Sequence, residues 1–215
     1  MRHLALLARA PSAGGKTRVA SGFPESRATQ LREALFLDTL DSARALGVPV
    51  TIFGTPSELN DELRVLARGL PVLPQSEGDL GARMHAAFTC LFGQGARHVV
   101  LIGSDLPTLP PAHLGAAFDA LEAGADLVIG PAEDGGYYLI GMSRPTPAVF
   151  EGIAWGSANV LQATRATAAS AGLRVHEITA WYDVDTATDL ARVGSGPALA
   201  RHTRRWMATS AERNG

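Results

Sequence analysis

The chain has 215 residues, 46% hydrophobic and 19% charged, which supplies a core for one ordinary globular domain and too little length for two large ones. A formal net charge of −2 creates no overall field toward nucleic acid or an anionic membrane, so any basic site has to be local. A single cysteine, Cys90, excludes a disulfide framework within the chain and points to a reducing, cytoplasmic setting.

The first apolar run, His3–Ala8, predicts a buried strand rather than a signal peptide, because Arg9 interrupts it before it reaches the length of an h-region. No run anywhere in the chain approaches the length that spans a bilayer. Directly after the first strand stands APSAGGKT, residues 10–17, which satisfies the loose form of the P-loop pattern. A P-loop needs a long helix starting at Gly-Lys-Thr, since the free N–H groups of that helix hold the phosphates. Here Ser21, Gly22 and Pro24 stop any helix soon after Lys16, and the helix is predicted to begin at Pro24 or Glu25. What remains is a phosphate-contacting loop of Gly14, Gly15, Lys16 and Arg18 at the carboxyl end of a strand, where open α/β sheets bind ligands. Of the 19 basic side chains only Lys16 is a lysine, a compact point charge that a planar guanidinium does not replace.

Further strands are predicted at Pro49–Gly54, Leu70–Leu73, Arg97–Gly103, Asp126–Pro131, Tyr137–Met142 and Leu173–Ile178, with helix-patterned segments between them. This alternation predicts an α/β layered fold with a mostly parallel sheet. Asp79, between Gly78 and Gly81, reads equally as the N-cap of the third helix or as a contact to a nucleotide. Asp105 follows the strongest central strand, in a proline-fixed loop that projects the carboxylate at the strand end, and suits magnesium or manganese. Glu133-Asp134-Gly135-Gly136 is a turn signal that a plain hairpin would explain. The two glycines also allow close approach of a ligand, and Tyr137 and Tyr138 offer stacking faces, so this segment is a candidate substrate pocket.

In WYDVDTATDL, Asp183 and Asp185 alternate and share one face if the segment is extended, although Asp185 also reads as a helix cap. One of the pair can bind metal while the other caps. The histidines show no paired spacing, so zinc is not supported, and neither Gly-x-Ser-x-Gly nor a Cys–His pair offers a covalent nucleophile. Residues 1–193 form the expected single domain. Residues 194–215 open with a Gly/Pro break and read as a loosely attached tail or short terminal helix, with Arg201, Arg204 and Arg205 on a solvated face.

The Lys-Thr-Arg loop, GDLGARM, GSDLP, GPAEDGGYYLIG, the Trp of IAWGS and WYDVDT occur in that order over about residues 3 to 193. As a set they resemble the radical-SAM/selenodomain-associated transferase family, in the superfamily of nucleotide-diphospho-sugar transferases that also holds the phospholactate and molybdenum-cofactor guanylyltransferases. The resemblance implies a three-layer α/β/α GT-A-like (Rossmann-like) fold with a mostly parallel mixed sheet. It also implies that Lys16 and Arg18 meet donor phosphates, that Asp79 lies near the nucleoside, and that Asp105 is the metal carboxylate. Asp134, Gly135, Gly136, Tyr137 and Tyr138 would then form part of the acceptor pocket, and Asp183 or Asp185 would make the second metal contact. Two departures stand out: Ala13 replaces the second proline of the family loop, which is one residue shorter before Lys16, and Trp155-Gly156-Ser157 replaces Trp-Ser-Thr.

The expected activity is metal-dependent transfer from a nucleotide donor to a small-molecule acceptor, with Mg2+ or Mn2+ as cofactor and without nucleic acid or membrane partners. Glycosyl transfer from a nucleoside-diphospho-sugar, with Asp134 as a base, is the first expectation. Nucleotidyl transfer to a small phosphorylated acceptor and a non-catalytic nucleotide-binding domain are the alternatives.

Overall fold

Strand β1 (Arg2–Arg9) sends Leu4, Leu6 and Ala8 to one face of the sheet and Ala5 and Leu7 to the other, so its near-continuous apolar run fits burial on both sides. The computed structural model describes residues 1–195 and 199–211, apart from the side chains of residues 210 and 211. The Gly-Pro of the anticipated break, residues 196–197, and the last four residues of the anticipated tail lie outside the described residues.

Helix α1 (Glu25–Ala45) starts behind Pro24, with Glu25 in its first turn. It is followed by β2 (Val50–Thr55), α2 (Asn60–Ala67), β3 (Val72–Pro74), α3 (Leu80–Gly93) and β4 (His98–Ile102). Next come α4 (Pro111–Glu122), β5 (Leu127–Pro131), β6 (Tyr137–Met142), α5 (Val160–Ser170) and β7 (Val175–Glu177). Helices α6 (Ala187–Ser195) and α7 (Arg201–Ala211) end the described chain.

The seven strands form one sheet in the order β3-β2-β1-β4-β6-β5-β7. All neighbours pair in parallel except β6, which runs antiparallel to both β4 and β5. On one face α1, α2 and α4 contribute Phe36, Leu40, Leu63, Leu114 and Phe118 to the core; on the other, α3 and α5 contribute Met84, Phe88, Leu91 and Ala168. The layered α/β fold and mostly parallel sheet are as the alternation of elements predicted, and the three layers are those that the resemblance implied.

The terminal stretch is docked, which corrects the reading of it as loosely attached. Leu31, Leu35, Val184, Leu190, Val193 and Trp206 form a third core cluster between α1, α6 and α7. Asp38 of α1, fully buried, accepts hydrogen bonds from the backbone N–H groups of His202 (2.9 Å) and Thr203 (2.8 Å) and from the Thr203 hydroxyl (2.7 Å). A carboxylate from a distant helix therefore caps α7, which has no cap signal of its own.

Two histidines tie stability to pH. His3, against the Thr51 hydroxyl at 2.9 Å, and His113, against the Tyr138 hydroxyl at 3.0 Å, are both held below the ordinary imidazole pKa by burial. Tyr138 donates to the Thr179 carbonyl (2.9 Å), so Nδ1 of His113 carries the proton and the ring is a neutral donor. The unfolded chain takes up protons first, so the contribution of these groups is complete above about pH 6.5 and falls away as the pH drops below it. The thermal midpoint is expected to decline below that pH, and to decline less in His3→Gln; a midpoint flat from neutrality down to the carboxylate range contradicts this.

Candidate functional site

The order of strands reverses direction between β1 and β4, and the loops at the carboxyl ends of these two strands face each other across the resulting crevice. Beyond β1 the chain makes a short 3-10 turn, Pro11–Ala13, and then passes through Gly14 (φ 75°), Gly15 (φ 101°) and Lys16 (φ 54°). Three consecutive residues in the left-handed region leave the loop outside any helical path; the lysine itself is the uncommon case there. No helix follows Lys16 until α1, as the P-loop argument requires.

Arg32 of α1, buried, holds this loop from beneath. Its guanidinium donates to the carbonyls of Pro11 (2.7 Å) and Gly15 (3.1 Å) and to the Thr29 hydroxyl (2.9 Å), and pairs with Glu25. Across the crevice, the turn Ser104-Asp105-Leu106 after β4 is clamped by Thr39 of α1. The Thr39 hydroxyl accepts from the Leu106 N–H (2.9 Å) and lies 3.0 Å from the Ser104 carbonyl. The Val184 N–H donates to the Asp105 carbonyl at 3.0 Å, which brings Asp183 and Asp185 beside Asp105 without a strand between them. Asp189 fixes the far side of that segment by accepting from the Asp185 and Thr186 N–H groups (3.2 and 2.8 Å).

The result is one cation among three carboxylates. The Lys16 Nζ lies 3.0 Å from Asp105 and 3.7 Å from Asp183, and forms a hydrogen-bonded ion pair with Asp185. Arg18 reaches Asp185 at 2.9 Å. Burial works against the Lys16 ammonium, but Asp105, Asp185 and Asp183 more than reverse it, so its pKa is raised. Burial pushes Asp183 up to about 6, against the pull of Lys16 and with the repulsion of Asp185.

Three cavities meet here, and Asp105 lines all of them. One, of about 350 Å³, is lined by Gly14, Gly15, Lys16, Thr17, Arg18 and Arg32. A second, of about 310 Å³, includes Arg9, Gln75, Leu80, Arg83 and Tyr137. The third, of about 380 Å³, is lined by Arg18, Asp134, Gly136, Tyr137, Tyr138 and Asp183, with Trp155.

Not every anticipated residue plays one part. Asp79 caps α3, accepting from the Ala82 N–H at 2.9 Å, and lines none of these three cavities; its neighbours Leu80 and Arg83 do. Residues 132–136 are the hairpin between β5 and β6, and Asp134 stabilises the turn by accepting from the Gly136 N–H at 2.9 Å while also lining the third cavity. Gly135 (φ 91°) lies against Ala158, where a Cβ would meet the Ala158 carbonyl oxygen at 2.2 Å; its role is close packing. The Tyr138 hydroxyl is taken by His113 and Thr179, which leaves its ring for the cavity wall.

Sequence reasoning missed Arg9, Arg32, Thr39 and Gln75. Gln75 donates its amide to the Ala8 and Phe53 carbonyls (3.1 and 2.8 Å) at the ends of β1 and β2. None of the four belongs to a motif; Arg32, Thr39 and Gln75 meet partners distant in the chain, and Arg9 turns back on the Ala13 carbonyl of its own loop.

The ligand atoms of Asp38, Asp41 and His202 lie within 4.8 Å of one another, a grouping that can hold a metal. Asp38 already caps α7 there and Asp41 pairs with Arg201 at 3.0 Å, so that charge is matched by the protein. Asp105, Asp183 and Asp185 do not lie that close to one another; their oxygens gather instead around the Lys16 ammonium, and are of the hard donor type that a divalent ion takes.

Thr39→Val is expected to leave the Leu106 N–H unpaired and loosen the Asp105 turn, lowering kcat roughly tenfold. Steady-state kinetics beside a melting curve checks this, and an unaltered kcat would show that Asp105 is held without Thr39.

Residues 39–157 match the sequence profile of a family described as an uncharacterized protein conserved in bacteria, DUF2064. A 3-phospho-D-glycerate guanylyltransferase of Phenylobacterium zucineum (strain HLK1) is 31% identical over 206 residues, covering 92% of each chain. A crystal structure from Desulfovibrio desulfuricans G20, assigned as a nucleotide-diphospho-sugar transferase, superposes with a TM-score of 0.89 at 30% identity, covering 98% of this chain and 95% of that one. A Mycobacterium tuberculosis H37Rv protein solved in complex with manganese shares the fold at a TM-score of 0.57 and 20% identity, covering 92% of this chain and 100% of the other.

Proposed function

We infer the reaction from the premise that this chain belongs to the DUF2064 family, has a GT-A-like α/β/α fold and is a nucleotide-utilising transferase. The reading we propose is nucleotidyl transfer: a nucleoside triphosphate, GTP first, gives its nucleoside monophosphate unit to a small phosphorylated acceptor of the phosphoglycerate type. The observation that carries it is Asp105 at the junction of three cavities, the one at Gly14–Arg18 lined by four cationic side chains, Arg9, Lys16, Arg18 and Arg32. The guanylyltransferase relative puts this reading ahead of the glycosyl transfer expected first from the sequence. The motif resemblance to the radical-SAM/selenodomain-associated transferases agrees with either reaction.

In the proposed arrangement the cavity at Gly14–Arg18 takes the triphosphate, the cavity at Arg9, Gln75 and Arg83 takes the nucleoside, and the cavity at Asp134–Tyr138 takes the acceptor. Asp105, with Asp183 and Asp185, would hold Mg2+ or Mn2+, which when bound neutralises charge on the phosphates. An acceptor phosphate oxygen bonds to the α-phosphorus, the bond from that phosphorus to its bridging oxygen breaks, and pyrophosphate leaves with the electron pair. Lys16 and Arg18 stabilise the charge growing on that leaving group. Arg18 lines both the phosphate and the acceptor cavities, so it also suits the acceptor's anionic end. A phosphate monoester is ionised at neutral pH and needs no base, so Asp134 orients the acceptor rather than taking its proton.

Glycosyl transfer is the second reading, favoured by the assignment of the Desulfovibrio relative. Incubation with Mn2+, each nucleoside triphosphate and 3-phosphoglycerate, followed by a pyrophosphate assay, tests the first. Release of pyrophosphate only with acceptor present is expected. No pyrophosphate from any triphosphate, with nucleoside diphosphate released from a nucleotide sugar, overturns it in favour of the second. The described residues contain no helix long and apolar enough to cross a membrane, and the free Cys90 fits the cytoplasmic setting we propose.

A further inference from the structure

Nothing in a phosphate-contacting role requires the Lys16 ammonium to sit among carboxylates, yet that is where it lies. Its side chain is only 15% exposed, and Asp105, Asp183 and Asp185 converge on its Nζ. The same three acids are the donor set for a divalent ion in the proposed function, on which this inference rests. The ammonium occupies the space between these oxygens that a divalent ion would need, and its charge opposes the entry of a second cation.

The geometry points to an exchange: we propose that Lys16 is a built-in substitute for the metal, which holds the three acids together until nucleotide phosphates draw the ammonium away. Three features make the exchange physical. The cavity that takes phosphates is lined by Lys16 itself, together with Gly14, Gly15, Thr17 and Arg18, so an incoming polyphosphate offers the ammonium a new anionic partner beside its present one. The lysine stem is flexible and unbranched and ends in a point charge, so it can leave one set of oxygens for another without moving the strands. The residues before it are two glycines in the left-handed region, whose backbone can rotate without a side-chain clash while Arg32 keeps the loop anchored at the Gly15 carbonyl. Arg18 remains on Asp185 at 72% exposure and can follow the phosphates in the same way.

The consequence is coupling between two ligands. Metal binds weakly to the free enzyme because it must expel a well-paired ammonium, and tightly once nucleotide has taken that ammonium. By linkage, metal raises nucleotide affinity by the same factor. Charge balance explains why the resting site is arranged this way: without Lys16 three carboxylates would face one another with no cation between them.

Mn2+ binding without nucleotide, read by electron paramagnetic resonance, tests the exchange in the wild type and in Lys16→Met, which keeps length and removes charge. We expect the variant to bind Mn2+ about tenfold more tightly than the wild type, and GTP to increase Mn2+ affinity about tenfold more in the wild type than in the variant. A second measurement needs no variant. Because the chain has one lysine, 15N-lysine labelling leaves a single Nζ signal, which should move to a phosphate-bound position when GTP is added without metal and shift again when Mg2+ fills the vacated carboxylates. Equal nucleotide-free Mn2+ affinity in both proteins, or an Nζ signal unmoved by GTP and Mg2+, overturns the exchange. Failure of the wild type to bind Mn2+ even with GTP would instead overturn the metal-dependent function beneath it, and the exchange with it.

Discussion

Asp105→Asn is expected to lower kcat by roughly a thousandfold or more while leaving the melting midpoint within a degree or two of the wild type. The turn is held by backbone groups through Thr39 and Val184, the side chain is about one-third exposed, and the Lys16 ammonium that loses its Asp105 partner keeps Asp183 and Asp185. What the substitution removes is a charge at the one place common to the three cavities that we propose take phosphates, nucleoside and acceptor. A chelator should inactivate the wild type to a similar depth, reversibly on addition of Mn2+. Turnover within tenfold of the wild type in the Asn variant would remove Asp105 from the chemistry.

Asp38→Ala should have the largest effect on stability, on the order of 2–4 kcal/mol. The substitution leaves the N–H groups of His202 and Thr203 and the Thr203 hydroxyl without their acceptor, in a place that water does not reach. Helix α7 should then detach from α1, exposing Leu31, Leu35 and Trp206. Urea denaturation measures the loss, and hydrogen exchange locates it: amides of α7 should exchange early while those of β1 and β4 stay protected. A loss of less than about 0.5 kcal/mol, the scale of an ordinary surface change, would show that the helix is held by its apolar face alone.

These two acids also show what a reader of the sequence alone can and cannot see. Asp105 was visible because it follows an apolar strand and precedes a proline-rich turn, a local pattern with a local cause. The strands and their boundaries were visible for the same reason, since the apolar runs of β1, β4 and β5 are buried on both faces. Nothing local singles out Asp38, because its partners are 164 and 165 residues away. Arg32 looks like any arginine on an amphipathic helix until the loop it supports is folded over it. Lys16, Asp183 and Asp185 were each singled out, but the ammonium lying between the acids is a fact of tertiary structure, with 169 residues separating Lys16 from Asp185. The direction of β6 was equally hidden, because an apolar run does not reveal which way it travels in a sheet.

That reversed strand has a consequence for how such a protein can change over generations. Because β6 returns antiparallel to β5, the cavity wall at residues 132–136, where we propose the acceptor binds, is a hairpin, contiguous in sequence and closed by its own turn. Lengthening, shortening or re-lettering that turn alters one short stretch of gene and leaves β1, β4 and the loops they carry in register. The partner molecule can therefore be exchanged by small local edits, while the nucleotide half, assembled from segments far apart in the chain, resists piecemeal alteration. Lineages built on this sheet should diversify in what they modify sooner than in what they modify it with.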